Sequence, residues 1–349
     1  MTLPLPFNSG KNRVRMRDVA NRCGVSISTV SLVLSGDSRI PEDTTRRVLE
    51  TVKAMEYRPS VVARSLARRV SRNIGVVLPE RAFGIARAFY QQALEGIHAE
   101  TQPAGYKMHV EVAGKNFLSR RYYLRVLKEQ SVDGMVYLAA TINDTFLREM
   151  EKEPYPFVLV GGSVDGADLP CAKADDVGGA EIAVQHLISL GHKKIAHIAG
   201  SSEISNGRDR ELGYRNALAK NSLEVDPAFI KTAHFDSEKA ELLTKELVDK
   251  GVTAFFAGSD TMAYGILKGL EVLGIKVPGE IAVMGMDDLE FSKWTNPSLS
   301  TVKYDIRSLA GLAARQVLRF VQNSGPSKIV FEDLPKPELV IRASCGFRK

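Results

Sequence analysis

Polar residues follow several apolar runs of this sequence, and their side chains are of types that can bind a ligand or take part in catalysis. Arginine and aspartate that converge in a cleft suit a hydroxyl-rich ligand, because both form charge-assisted hydrogen bonds. The candidates at or beyond the ends of apolar runs are Phe89 or Tyr90, Gly161, Asp175, Arg210 in RELGY, Phe235, Ser259 and Asp260 in GSDTMAYG, and Asp287 in GMDD. These residues predict a small-molecule site rather than a catalytic one.

Structural roles are the alternative for several of these residues. Asp260 would then cap a helix, Asp287 would cap or turn the chain, and Phe235 would belong to a core. An enzyme is the alternative at the level of function. The sequence has no G-x-G-x-x-G after a strand, no G-x-x-x-x-G-K-[ST], no H-E-x-x-H and no G-x-S-x-G, and its six histidines do not group. We therefore expect no enzymatic activity, no cofactor and no metal.

The elements that position these residues are short apolar runs separated by helix-length amphipathic segments. The runs are IGVVLP, YKMHVEV, DGMVYLAA, PFVLVGG, KKIAHIAG, FIKTAHF, TAFFAGS and IAVMGMDD. This alternation predicts parallel sheets with helices on both faces. About eight βα units are too many for one open sheet, so two lobes with a cleft between them are expected, with crossovers near SVDGADLP and NPSLSTVKYD.

The N-terminal segment RMRDVANRCGVSISTVSLVLSG predicts two short helices joined by a turn. Gly24 suits the end of the first helix, and Ser26 can cap the second. The outward side of the second helix carries Ile27, Ser28, Ser31 and Leu32. Small uncharged side chains of this kind suit a DNA major groove, although a helical hairpin in a core is the alternative interpretation.

The distribution of charge favours nucleic acid as a partner of this end of the chain. Residues 1–72 contain 14 Lys and Arg against 6 Asp and Glu, whereas the rest contains 33 against 35. PEDTTRRVLETVKAMEY predicts a third helix, and YRPSVVARSLARRVSRN predicts a short helix followed by a polar joint. A small segment that holds the whole positive excess is typical of phosphate binding.

The 349 residues and 44% hydrophobic content are those of a globular protein with two or three domains. There is no apolar run long enough for a secretion signal or a membrane span. The three cysteines, Cys23, Cys171 and Cys345, are scattered and form neither a disulfide framework nor a metal-spaced pair. A cytoplasmic location is the expectation.

The sequence resembles the lactose-repressor (LacI/GalR) family of bacterial transcription regulators. DVANRCGVSISTVSLVLSG, TRRV and YRPSVVARSLA carry the resemblance, with further features across essentially the whole chain. It implies a helix-turn-helix head over residues 1–58, a hinge over 59–72 and a two-lobed α/β effector domain of the periplasmic-binding-protein type over 73–349. One lobe would span about 73–163 and 302–325, and the other about 168–296 and 329–349.

The resemblance also implies roles for individual residues. Arg210 and Asp287 would contact the effector, with Phe235 as a stacking platform, beside Phe89, Gly161, Ser259 and Asp260. Leu66 would wedge between base pairs of the minor groove, with Ala63 beside it; its alternative is a core anchor against the first strand. The DNA-binding residues would be Arg15, Met16, Ser26, Ile27, Ser28, Ser31, Leu32, Ser35, Arg39, Thr44, Tyr57, Ser60, Ala63 and Leu66.

One position departs from the family pattern. Leu32 stands where the family often has an arginine, so the usual bidentate reading of guanine is in doubt. We expect a homodimeric or tetrameric DNA-binding repressor that binds palindromic operator half-sites and a small effector, a sugar or sugar derivative, with a nucleobase as the runner-up. A transport binding protein of the same two-lobed shape is the rival, but it would have no reason for a basic helical head.

Overall fold

The computed structural model describes residues 14–57, 70–80, 87–323, 329, 331 and 334–346. The chain separates into two compact units between Ser71 and Arg72. We call them the head and the effector unit. Of the predicted hinge over 59–72, residues 59–69 lie outside the described part, so the hinge-helix hypothesis stays a prediction.

Three helices form the head. They are α1 (Met16–Cys23), α2 (Ile27–Ser35) and α3 (Glu42–Ala54). Gly24 ends α1 with φ +65°, a left-handed conformation that glycine adopts at little cost. The Oγ of Ser26 then caps α2 by accepting a hydrogen bond from the backbone N–H of Thr29 at 3.0 Å, as the sequence predicted. The three helices enclose a small core of Val19, Ala20, Cys23, Val30, Val33, Val48 and Tyr57.

The first lobe of the effector unit is built on a five-stranded parallel sheet with the order β2-β1-β3-β4-β5. Its strands are β1 (Asn73–Pro79), β2 (Lys107–Ala113), β3 (Gly134–Leu138), β4 (Phe157–Val160) and β5 (Cys171–Ala172). Its helices are α4 (Arg87–Thr101), α5 (Lys115–Ser119), α6 (Tyr122–Lys128) and a 3₁₀ helix (Thr145–Lys152). The strands read as continuous apolar runs because helices cover both faces of the sheet.

The second lobe is built on a four-stranded parallel sheet with the order β7-β6-β8-β9. Its strands are β6 (Ile195–Ala199), β7 (Ile230–Thr232), β8 (Ala254–Ala257) and β9 (Ala282–Met284). The helices are α7 (Asp176–Ser189), α8 (Ser205–Lys220), α9 (Ser237–Asp249) and α10 (Asp260–Val272). All eight predicted apolar runs therefore contain a strand.

The rest of the effector unit returns to each lobe in turn. The remaining elements are 3₁₀ helices (Pro227–Phe229, Glu290–Lys293, Ala343–Cys345), β10 (Thr301–Lys303), α11 (Ile306–Asn323) and β11 (Glu338–Val340). α11 packs on α4 of the first lobe, whereas β10 and β11 pair with each other beside the second sheet. The lobe limits differ from the predicted ones. β5 pairs with β4 beyond residue 168, and β10 carries the second lobe to residue 303.

Three pairs of helices approach each other through a glycine. A Cβ on Gly96 of α4 would lie 2.0 Å from the Arg307 carbonyl oxygen of α11. Equivalent contacts join Gly213 of α8 to α7 and Gly265 of α10 to α9. Since real Cβ atoms do not come this close to backbone, each helix pair is held at a separation that only glycine permits.

We expect Gly96→Ala to lower the free energy of unfolding of the effector unit by about 1–3 kcal/mol, because α4 and α11 must move apart. Gly279→Ala is the matched control, since its Cβ would have an ordinary contact at 3.6 Å with Lys276. Urea denaturation followed by circular dichroism measures both. Equal stabilities of the two variants would show that α4 and α11 tolerate a wider separation.

Candidate effector site and DNA-binding face

A cavity of about 600 Å³ lies between the carboxyl ends of the two sheets. Its wall includes seven residues that the sequence singled out: Phe89, Tyr90, Gly161, Arg210, Phe235, Ser259 and Asp287. The turns after β1, β3 and β4 supply the first lobe's side, and those after β6, β7, β8 and β9 supply the other side. This is the edge at which parallel α/β sheets collect ligands.

Direct contacts join the two lobes near this cavity. The backbone N–H of Ile142 donates to the Glu203 carbonyl oxygen at 2.9 Å, and that of Ser163 donates to the Ser205 Oγ at 3.2 Å. Arg208 of the second lobe forms an ion pair with Asp165 of the first, with 2.9 Å between Nη2 and Oδ1. The lobes are therefore joined by direct, polar and partly exposed contacts that can be remade.

Arg210 is the central charge of the cavity, and it is buried on α8. Its Nε donates to Asp176 Oδ1 at 2.8 Å, its Nη1 to the Gly258 carbonyl oxygen at 2.6 Å, and its Nη2 lies 2.9 Å from Asp287 Oδ1. The guanidinium also lies over the Tyr304 ring, 5.5 Å from its centroid. Burial lowers the pKa of Arg210, but Asp287 and Asp176 raise it further, so the group stays charged.

Asp287 faces the cavity on a strained turn after β9, with φ +121°. Burial raises the pKa of its carboxyl to about 7; Arg210 opposes this shift and Asp260 adds to it. Burial likewise raises the pKa of Asp176, against the effect of Arg210. One guanidinium thus faces two buried carboxyl groups, and burial holds the pKa of both above the usual range of a carboxyl group.

Two aromatic rings are seated against glycines of the cavity wall. A Cβ on Gly200 would lie 2.2 Å from the Phe235 ring, and one on Gly161 would lie 2.7 Å from the Phe89 ring. Phe235 itself has φ +63°, unusual for a bulky residue. The close fit places an apolar platform on each lobe, which suits the flat face of a sugar or a base.

Two predicted candidates have structural roles instead. Asp260 is fully buried outside the cavity wall, where it accepts hydrogen bonds from Ser292 Oγ at 2.6 Å, Thr301 Oγ1 at 2.5 Å and the Leu289 N–H at 2.8 Å. Asp175 caps α7 by accepting from the Gly178 N–H at 2.8 Å. Ser259 caps α10 and also lines the cavity.

Sequence reasoning missed several residues of the site, some in contact with Arg210 and others in the cavity wall. Asp176 and Tyr304 hold Arg210, while Asn206, Glu203 and Glu80 line the cavity. The doublet Asp175-Asp176 and the position of Asn206, one helical turn before Arg210, were the available signals. The side-chain Oδ1 of Asn206 is buried without a hydrogen-bond partner.

The predicted DNA-reading face of the head is partly exposed. Ile27 is 48% exposed and Ser28 is exposed, whereas Ser31 and Leu32 are half-buried. Thr44 and Met16 are half-buried, and Met16 packs against the core. Tyr57, another predicted DNA-binding residue, has its ring buried in the head core. The side chain of Ser35, and residues Ser60, Ala63 and Leu66, lie outside the described part.

The cations of the head are exposed. Arg39 pairs with Asp37 at 2.7 Å and Arg46 pairs with Asp43 at 2.6 Å, both at the surface. Exposed ion pairs contribute little, so these guanidinium groups can exchange a carboxylate for a phosphate. The Arg15 side chain is free of any such carboxylate pair among the described residues, since only its backbone N–H contacts Asp18 Oδ2, at 2.8 Å.

The described ranges hold neither a metal cluster nor a membrane-crossing helix. No three His, Cys, Asp or Glu side chains gather there as a metal site would require. No helix among the described residues is both long and apolar enough to cross a membrane.

Comparison with known proteins gives two family matches. Residues 15–60 match the model described as bacterial regulatory proteins, lacI family, and residues 184–345 match a periplasmic binding protein-like domain. Catabolite control protein A of Priestia megaterium is 30% identical over 313 residues, which are 88% of this chain and 92% of that protein. The transcriptional regulator GalS of Salmonella typhimurium (strain LT2) is 30% identical over 338 residues, which are 96% of this chain and 98% of that protein.

Solved structures give the same result. The lac repressor dimer bound to operator and the anti-inducer ONPF superposes with a TM-score of 0.82 and 25% identity, covering 96% of this chain and 99% of that one. The CelR–cellobiose complex superposes with a TM-score of 0.70 and 26% identity, covering 95% of this chain and 100% of that one. The fold and the sequence agree over nearly the whole chain, which belongs to the LacI family of bacterial regulatory proteins.

Proposed function

We propose that this chain is a homodimeric transcriptional repressor whose affinity for an operator is controlled by a small molecule bound between the two lobes. The observation that carries the proposal is the cavity around Arg210 and Asp287 in a chain that also has a helix-turn-helix head. Two relatives over nearly the full length are named as an HTH-type transcriptional repressor and an HTH-type transcriptional regulator.

A sugar or sugar derivative is the proposed effector. The cavity combines ionised hydrogen-bonding groups with the Phe235 and Phe89 rings, which together suit a hydroxyl-rich ring. One similar structure is titled as a cellobiose complex. A nucleobase is the alternative, because the same two rings suit stacking and several relatives are named PurR.

The proposed mechanism is a shift between lobe arrangements. A ligand that binds Arg210 and Asp287 stabilises one arrangement of the contacts that join the lobes, such as Arg208 with Asp165. In a dimer this shift would change the separation of the two hinge segments over 59–72, and with it the fit to two half-sites. A coupling of about 1–3 kcal/mol gives a roughly 5- to 150-fold change in operator affinity.

An exposed aromatic patch is a candidate surface for self-association. Phe291 is 60% exposed and Trp294 is 74% exposed, at the 3₁₀ helix after β9. Exposed aromatic groups of this size are typical of protein interfaces. The lac repressor structure named above is a dimer by its title. We therefore place part of the proposed dimer contact on this patch.

The test of the function compares the full chain with a fragment of residues 70–349. The fragment keeps Arg72, whose backbone N–H donates to Asp133 Oδ2 at 2.8 Å, and loses the whole positive excess of the chain. DNA selected from random sequences by the full chain is used in gel retardation, with light scattering for oligomeric state. We expect the fragment to stay folded and dimeric and to lose DNA binding. A fragment that still retards the selected DNA would refute the role of the head.

Variants of the head distinguish residues that contact the DNA phosphates from residues that recognise bases. Arg15→Ala should weaken binding to all sequences and reduce the salt slope by about one unit, because a phosphate contact is lost. Ser28→Ala and Leu32→Ala should instead change the preferred base at one position of each half-site. Binding to a substitution series of the selected site, measured at several salt concentrations, distinguishes the two effects. Equal losses on every sequence for Ser28→Ala and Leu32→Ala would contradict a reading role.

A further inference from the structure

Arg210 has no nitrogen left without an acceptor. Its Nε, Nη1 and Nη2 are directed at Asp176, the Gly258 carbonyl oxygen and Asp287. Nη1 and Nη2 each carry a second N–H, but two carboxyl groups and a carbonyl already face this cation, so an incoming phosphate or carboxylate would approach it against carboxyl oxygens. Among the described wall residues no lysine and no second arginine is present.

The rest of the described wall is rich in hydrogen-bond acceptors. Glu80 lines the cavity from the first lobe and Glu203 from the second, and neither side chain forms an ion pair with a described residue. The Asn206 Oδ1 is buried and has no partner. A buried acceptor without a donor costs free energy, so this oxygen is placed to receive an N–H or O–H from a ligand.

We propose that the effector is a neutral or amine-bearing polyol that donates hydrogen bonds to Asn206, Asp287 and the two glutamates, and that phosphorylated or carboxylated analogues are rejected. This inference rests on the proposed function, of which it specifies the ligand class. A neutral ring would bind through its hydroxyl donors, and an ammonium group would in addition offset the excess carboxylate charge. An anion would add charge of the same sign, and specificity against it would come from that repulsion.

The charge preference is tested on the full chain with compounds that share one sugar ring and differ in charge. The set is D-glucose, D-glucosamine, D-glucose 6-phosphate and D-glucuronate, the galactose and mannose counterparts, and adenosine with AMP. Thermal shift and titration calorimetry are the measurements. We expect at least one neutral or amine-bearing compound to bind and its anionic derivative to bind at least about tenfold more weakly. An anion that binds as tightly as its neutral parent, or a set in which no neutral or amine-bearing compound binds, overturns the inference.

The role of the wall carboxylates is tested by measuring how their variants bind the compound identified above. Glu203→Gln should reduce the preference for the amine over the neutral parent, whereas Glu271→Gln, an exposed glutamate of α10 outside the cavity wall, should not. Operator binding is measured in the same preparations. A chain that selects DNA but responds to a sugar phosphate refutes only the ligand class. A chain that binds a neutral sugar but selects no DNA refutes only the function.

A second test needs no ligand. Asn206→Leu should leave the melting temperature of the free chain unchanged or raised, because the Oδ1 has no hydrogen bond to lose. Asn216→Leu on the same helix should lower it, since Asn216 Nδ2 donates to Glu181 Oε1 at 2.9 Å. Asn206→Asp, which keeps an acceptor, should restore binding that Asn206→Leu loses. A fall in melting temperature for Asn206→Leu as large as for Asn216→Leu would make Asn206 a structural residue and overturn its role.

Discussion

Arg210→Met is expected to lower the free energy of unfolding of the effector unit by about 3–5 kcal/mol, because it removes the cation from a buried cluster and leaves its partners behind. Asp176 and Asp287 would remain as buried carboxyl groups without a counterion, and the Gly258 carbonyl would lose a 2.6 Å hydrogen bond. The methionine keeps most of the apolar volume of the stem, so the loss reports on charge rather than on a cavity. Urea denaturation followed by circular dichroism gives the value.

A neighbour on the same helix provides the control. Arg215 forms a partly exposed pair with Glu211 at spacing i,i+4, with 2.7 Å between Nη2 and Oε1. Arg215→Met should therefore cost only about 0.3–0.5 kcal/mol. Adding Asp287→Asn to Arg210→Met should regain part of the loss, because one orphaned carboxylate is removed. Equal costs for the two single arginine variants would mean that the buried cluster contributes no more than a surface pair.

Asp287→Asn is expected to make the ligand-free protein more resistant to unfolding as the pH rises, relative to the unaltered chain. In the folded protein burial raises the pKa of Asp287 from 3.8 to about 7. Between these values the folded state holds a proton that the unfolded state has released, so the free energy of unfolding falls as the pH rises. The loss is on the order of 4 kcal/mol at pH 8, at about 1.4 kcal/mol per pH unit. Asparagine cannot ionise and avoids it.

The measurement is the difference in unfolding free energy between the two proteins from pH 4 to pH 8. Asp176 and Asp260 are present in both, so the difference reports Asp287 together with its electrostatic effect on those two carboxyl groups. Asp165→Asn is a control of opposite sign, because the hydrogen bond from Arg208 lowers the pKa of Asp165. That variant should lose stability near neutral pH and match the unaltered chain at low pH. A flat difference for Asp287→Asn would show that Arg210 fully compensates its charge.

The sequence predicted the elements well where pattern and length agree. Each of the eight long apolar runs contains a strand, and the capping of α2 by Ser26 followed from residue type alone. β5 was missed because Cys171–Ala172 is too short to show any periodicity. β10 and β11 were missed for a similar reason. Each strand has only three residues, which is too few to show a sequence pattern, and the two strands are recognised only by their pairing.

The strand-end residues Arg210 and Asp287, which the sequence singled out, line one cavity, and their role in binding stays a prediction. Their partners distant in sequence were not found from the sequence. Asp176 lies 34 residues from Arg210, and nothing local marks it as the counterion. Asp175 and Asp176 are neighbours in sequence but have different partners. The Asp175 carboxylate caps its own helix, whereas the Asp176 carboxylate pairs with Arg210 of α8. Such an assignment needs the tertiary contact.

The pairing of α4 with α11 has a consequence for how the chain is made. The two helices meet through Gly96, and Arg315 of α11 reaches back 215 residues to Glu100 of α4 with a 2.6 Å hydrogen bond. During synthesis the first lobe must wait for α11, whereas residues 176–284 are contiguous and can collapse earlier. The head, translated first, needs only local contacts. A nascent chain thus acquires its DNA-reading part before its regulated part, and the late arrival of α11 sets the moment at which the first lobe is complete.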